Sequence, residues 1–163
     1  MHIIIYNQNT LLYDEFKFKC SIGKKGVSLN KKEGDFKTPK GIFSLGTLFY
    51  RKDKITKIFT KLKKIPIKKN MGWCNDINSN LYNKLINTNL KVNHEKMFRK
   101  DSKYDLVISI NYNTKKIIQN KGSAIFIHLT EDYKKTQGCI ALKKKDLLIL
   151  LKLINKKTKI KIL

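Results

Sequence analysis

The chain has 163 residues, 41% of them hydrophobic, which is enough for a buried core and fits one domain spanning residues 1–163. Its formal net charge of +24 raises nucleic-acid binding, but all but two of the 36 basic residues are lysine. The shortage of bidentate guanidinium groups argues against specific nucleic-acid readout, and no apolar run approaches the roughly 20 residues that span a bilayer, so no transmembrane segment is expected.

In chain order, Met1–Tyr6 lacks the basic segment and cleavage site of a secretory leader and reads as a first strand from Ile3 to Tyr6. Taken alone, that points to the cytoplasm. Runs of β-branched and aromatic residues predict strands at Leu11–Phe18, Gly26–Leu29 and Gly41–Leu48, with turns at Gln8-Asn9 and Lys24-Lys25. The lysine-rich stretch Arg51–Lys69 predicts an exposed connection, and Asn80–Thr88 a short helix. Strands are then predicted at Leu106–Ile110, Ile117–Ile118 and Ala124–His128, with turn residues at Asn111–Thr114. A helix is predicted from Lys144 to about Asn155, with Asp146 in the first turn where a carboxylate favours the dipole. Ile160–Leu163 reads as a last strand, so the fold class is mainly β, a sandwich or barrel with a helix after Cys139.

Three cysteines leave at least one unpaired, which suits a reactive thiol better than a disulfide framework. Cys20 falls in an apolar alternation and reads as core. Cys74, beside Trp73, reads as packing, with a place at the site or a redox pairing with Cys139 left open. His2 and His94 have no partners at ligand spacing, so no metal and no cofactor are expected.

The segment Ala124-Ile125-Phe126-Ile127-His128-Leu129 alternates with period two, which puts Ala124, Phe126 and His128 on one face. Cys139 follows eleven residues after His128 and directly after Gly138. An imidazole beside a thiol can take its proton and later return it to a leaving amine. Gly138 permits a strained backbone and close approach of a carbonyl to the amides around Cys139, which would act as oxyanion donors. On spacing alone, an inert core cysteine is the favoured reading, and the strand alternation and an upstream segment shift it towards the reactive pair.

A second segment carries Glu33-Gly34-Asp35 and Thr38-Pro39-Lys40-Gly41-Ile42-Phe43. With Gly138-Cys139-Ile140, Gly72-Trp73-Cys74-Asn75-Asp76 and Tyr82-Asn83-Lys84, it resembles the L,D-transpeptidase catalytic domain, the YkuD-like family, over nearly the whole chain. The resemblance implies an acyl-thioenzyme mechanism on peptidoglycan stem peptides, which serve as donor and acceptor. Cys139 would be the nucleophile, His128 the general base and acid, and Gly138 part of the oxyanion hole. Substrate contacts are implied at Trp73, Tyr82, Asn83, Thr136 and Gln137, with packing as the other reading of the first three.

Typical members carry Ser-His-Gly-Cys followed by an Ile-Arg or Leu-Asn type pair, whereas here Thr136-Gln137-Gly138-Cys139 precedes Ile140-Ala141. The second histidine and the arginine are absent, so donor recognition is expected to differ. If water resolved the thioester, the same site would be an L,D-carboxypeptidase. A reading from another class is a non-catalytic basic module that binds cell-wall or nucleic-acid polyanions. The family works outside the inner membrane, in contrast to the missing leader.

Overall fold

A computed structural model describes residues 1–163. Its strands are β1 (His2–Tyr6), β2 (Thr10–Tyr13), β3 (Phe16–Lys19), β4 (Val27–Ser28), β5 (Thr38–Pro39), β6 (Gly41–Tyr50) and β7 (Lys64–Pro66). They continue with β8 (Met71–Cys74), β9 (Leu85–Asn87), β10 (His94–Lys96), β11 (Leu106–Ile110), β12 (Phe126–Leu129) and β13 (Ile140–Leu142). Helix α1 (Lys144–Leu153) and strand β14 (Lys159–Ile162) follow.

Nine strands form one sheet in the order β13-β12-β11-β6-β14-β1-β2-β3, with β7 added alongside β6. The ends of this sheet meet. Ser21, just past β3, exchanges backbone hydrogen bonds of 2.9 and 2.8 Å with Ala141 of β13, so the sheet is a nearly closed barrel. Closure leaves few unpaired edge groups. The mainly β class with a helix after Cys139 is therefore correct.

Helix α1 buries Leu147, Leu150 and Leu151, which the helical period puts on one face. These join a cluster of 25 buried residues, mostly Ile and Leu, that also takes Ile125, Ile127, Leu129, Ile140 and Leu142. The opposite parity of the same strands feeds a second cluster of eight, which includes Trp73, Tyr104, Ala124 and Phe126. Strand alternation thus divides the barrel wall into an aliphatic side and an aromatic side.

Four local expectations fail for physical reasons. Leu11–Phe18 is a hairpin rather than one strand, because Asp14 takes φ 55°, a conformation short polar residues tolerate. Asn80–Thr88 is a turn leading into β9 and not a helix, since Asn83 sits at φ 56°. Ile117–Ile118 is loop, where the Asn113 side chain both accepts from the Ile118 amide (2.8 Å) and donates to its carbonyl (2.9 Å). Arg51–Lys69 is not simply exposed, because it contains β7 and buries Ile55, Leu62 and Ile67. Arg51 itself lies 3.7 Å from the Phe98 ring centroid and grips Asp53.

Candidate active site

β12 and β13 run parallel, with His128 opposite Ala141 and Ile127 opposite Ile140. Extending that register by one residue puts Cys139 opposite Phe126. Cys139, Phe126 and His128 therefore share one face, and the loop from Thr130 to Cys139 returns the chain without a crossover helix. A cleft of about 460 Å³ opens on that face and is lined by Cys139, His128, Gly138, Thr136 and Gln137.

His128 is 7% exposed, and its Nδ1 lies 2.9 Å from the Leu129 carbonyl. That contact requires the proton on Nδ1 and leaves Nε2 as an acceptor. Burial lowers the imidazole pKa to about 4, so the ring is neutral at physiological pH. Its flank is covered by the Tyr104 ring, 5.5 Å away between centroids.

The Cys139 thiol donates to the Ala124 carbonyl at 3.1 Å and accepts from the Phe126 amide at 3.4 Å. Desolvation pushes the thiol up to about 12, with a further push from Glu95, while the Phe126 amide and Lys31 act the other way. The resting pair is thus a neutral thiol and a neutral imidazole. In this state the thiol proton points at a backbone carbonyl.

Gly138 has φ +144°, and a Cβ there would stand 2.8 Å from the Lys37 carbonyl, so the position has no room for a side chain. Its amide donates to Thr136 Oγ1 at 3.1 Å, and that hydroxyl donates to the Cys139 carbonyl at 2.6 Å. Thr136 therefore shapes the turn at Cys139 from within. The Cys139 amide has no protein acceptor and is the free donor beside the sulfur.

Trp73, Tyr82 and Asn83 are all buried and lie behind the cleft wall rather than along it. Trp73 Nε1 donates to Asn83 Oδ1 at 2.9 Å, and the same oxygen accepts from the Ala124 amide at 3.1 Å. Asn83 Nδ2 donates in turn to the Tyr112 and Asn113 carbonyls. These bonds hold Ala124 at φ 51°, a costly conformation for a residue with a Cβ, and so fix the carbonyl that receives the Cys139 thiol. Tyr82 donates to Glu33 Oε2 at 2.5 Å and accepts from the Gly122 amide at 2.9 Å, while the Ser123 hydroxyl reaches the same Glu33 oxygen at 2.7 Å. The motif that opens with Glu33 thus braces the segment before β12.

Asp35 accepts from Lys31 Nζ at 2.7 Å and from the Lys37 amide at 2.9 Å. Lys31 is buried, and its Nζ would stand 3.5 Å from a Cβ on Gly138. Sequence reasoning singled out neither Lys31 nor Glu95, Arg99 and Tyr104, which also line the cleft. The first sits beside the Glu-Gly-Asp motif and carried a signal. The others come from β10 and the loops around it, where only long-range pairing brings them near Cys139.

Cys74 is fully buried and, like Cys20 and Cys139, free. A model of the L,D-transpeptidase catalytic domain family (YkuD) matches residues 2–162. The chain belongs to this family. Among solved structures, it is similar to the helical cell shape determining protein Pgp2 from Campylobacter jejuni, with a TM-score of 0.56 and 18% identity. A mutant of Pgp2 matches at a TM-score of 0.56 and 19% identity. Bd1075 from Bdellovibrio bacteriovorus matches at a TM-score of 0.50 and 16% identity. Each alignment covers 99% of this chain and 46% of the other, so the chain spans less than half the length of these neighbours. At these identities the likeness is one of fold. A comparison with curated proteins finds no significant match.

Proposed function

We propose that this YkuD domain is a cysteine-dependent L,D-transpeptidase acting on peptidoglycan stem peptides through an acyl-thioenzyme. The observation that carries the reading is the shared face of Cys139 and His128 on parallel strands, with His128 Nδ1 tied to the Leu129 carbonyl and both side chains opening on one cleft.

Cys139 turns its thiol from the Ala124 carbonyl towards Nε2. As the sulfur attacks the carbonyl of the third, L-centred residue of a tetrapeptide stem, its proton passes to Nε2. The oxyanion forms against the Cys139 amide, with Gly138 allowing the carbonyl to approach. As the C–N bond breaks, imidazolium protonates the departing amine of the terminal D-residue. An acceptor amine attacks the thioester, gives its proton to His128, and the thiol is regenerated. Water in place of the amine gives L,D-carboxypeptidase activity from the same intermediate. Because the resting pair is neutral, proton transfer accompanies attack rather than preceding it.

Incubation with a disaccharide-tetrapeptide tests this. The wild type should release the terminal D-residue or form a cross-linked product, and Cys139→Ala should do neither. Turnover by the mutant, or none by the wild type on any stem, would overturn the assignment.

A further inference from the structure

Along the cleft, Lys24, Lys103 and Lys135 form no ion pair, whereas the other charged groups apart from Glu95, including the carboxylates of Glu33 and Asp132, are matched. Lys31 holds Asp35 at 2.7 Å, Arg99 holds Asp101 at 2.6 Å, and Lys134 holds Asp132 at 2.9 Å. Glu33 takes two hydroxyl hydrogen bonds on one oxygen. Glu95 differs. Its one hydrogen bond comes from the Tyr104 hydroxyl to Oε1, and no lysine or arginine forms an ion pair with it, in a chain of net charge +24.

The register of β10 on β8 puts Glu95 opposite Trp73, on the side of the aromatic cluster against which Cys139 packs. Tyr104 spans the gap, since it donates to Glu95 and also packs on the His128 ring. Burial raises the Glu95 pKa above the usual carboxylate range, against the opposing effects of the Tyr104 hydroxyl and the more distant Arg99. A half-buried carboxylate on the cleft wall with one oxygen unbonded gains from a cation that completes its hydrogen bonding.

We propose that Glu95 is a specificity residue that receives the side-chain ammonium of the donor stem's third residue, the residue whose carbonyl Cys139 attacks. The inference rests on the proposed function. An acceptor amine is the poorer occupant. It must be neutral to attack the thioester, and a carboxylate that holds it as ammonium ties up the lone pair it needs. A side-chain amine has no such requirement and can stay charged throughout. Glu95 thereby supplies a recognition element in a site that lacks the arginine typical of the family after the nucleophile.

The test uses two tetrapeptide stems identical except at the third residue, one with lysine and one with Nε-acetyl-lysine, and measures release of the terminal D-residue. Wild type should favour the amine-bearing stem by about tenfold or more in kcat/KM, mostly through KM, as expected for one charge-assisted contact. Glu95→Gln should lose that preference, and Glu95→Asp should keep part of it. Equal use of both stems by the wild type, which needs no variant to observe, would overturn the inference while leaving the functional reading intact. So would a preference that survives Glu95→Gln, or an effect confined to the KM of the acceptor. No release from either stem would instead sink the functional reading, and the inference with it.

Discussion

The two hydrophobic clusters meet at the same two strands and differ in kind. The larger, under α1, is built mainly from Ile and Leu, whereas the smaller one beneath Cys139 is rich in aromatic rings with polar tips. Phe126 packs edge-on against both Trp73 (5.1 Å between centroids) and Tyr104 (5.9 Å), while the Trp73 indole and the Tyr104 hydroxyl each reach a polar partner. Aliphatic packing stabilises the barrel without directing any particular atom. The aromatic cluster directs the Ala124 carbonyl, Glu95 and the flank of His128. Stability and site geometry are therefore carried by opposite faces of β12 and β13.

The two clusters should therefore respond differently to truncation. Leu150→Ala in the aliphatic cluster should cost about 2–5 kcal/mol of stability in a urea melt. Its kcat/KM per folded molecule should be unchanged well below the melting temperature, and a large loss of activity there would break the comparison.

A second effect lies on the site face. The fold holds the His128 imidazole neutral, lowering its pKa from 6.5 to about 4, while the unfolded chain takes up a proton below about 6.5. Stability from this group is fully present above pH 6.5 and is lost as pH falls towards 4, by an amount on the order of 3 kcal/mol. Urea melts between these pH values should show the decline in wild type and a shallower one in His128→Asn. Equal slopes would mean that the imidazole is not held neutral by burial.

The smallest effect sharpens the comparison most. Trp73→Phe keeps an aromatic ring against Phe126 but removes the indole donor to Asn83, at a stability cost of about 1 kcal/mol. Because Asn83 also holds Ala124, turnover should fall by more than that stability loss explains, with KM little changed. Unaltered kcat in Trp73→Phe would show that the polar tips do not direct the site.

Much of this was legible in the sequence where periodicity was local. The alternation in Ala124–Leu129 placed His128 on the correct face, and the Leu147–Leu151 run marked the helix. The motifs at Glu33–Phe43 and Gly138–Ile140 led to the family. Positions that depend on long-range pairing did not read out. Strand β8 is four largely apolar residues and β10 is three polar residues, both too short to show a period, so nothing local put Glu95 near Cys139. Trp73, Tyr82 and Asn83 carry motif signals but sit behind the wall, since a buried hydrogen-bonded support and a substrate contact use the same residue types. The hairpin break at Asp14 and the turn at Asn83 rest on single left-handed residues that propensity runs do not reveal.

The central claim is the thioester on Cys139, and an intact mass spectrum tests it most directly. Protein mixed briefly with a tetrapeptide stem and quenched in acid should gain the mass of the stem less its terminal D-amino acid, with the adduct mapping to Cys139 and absent from Cys139→Ala. Release of the D-residue with no adduct at any quench time, or an adduct on another residue, would contradict it.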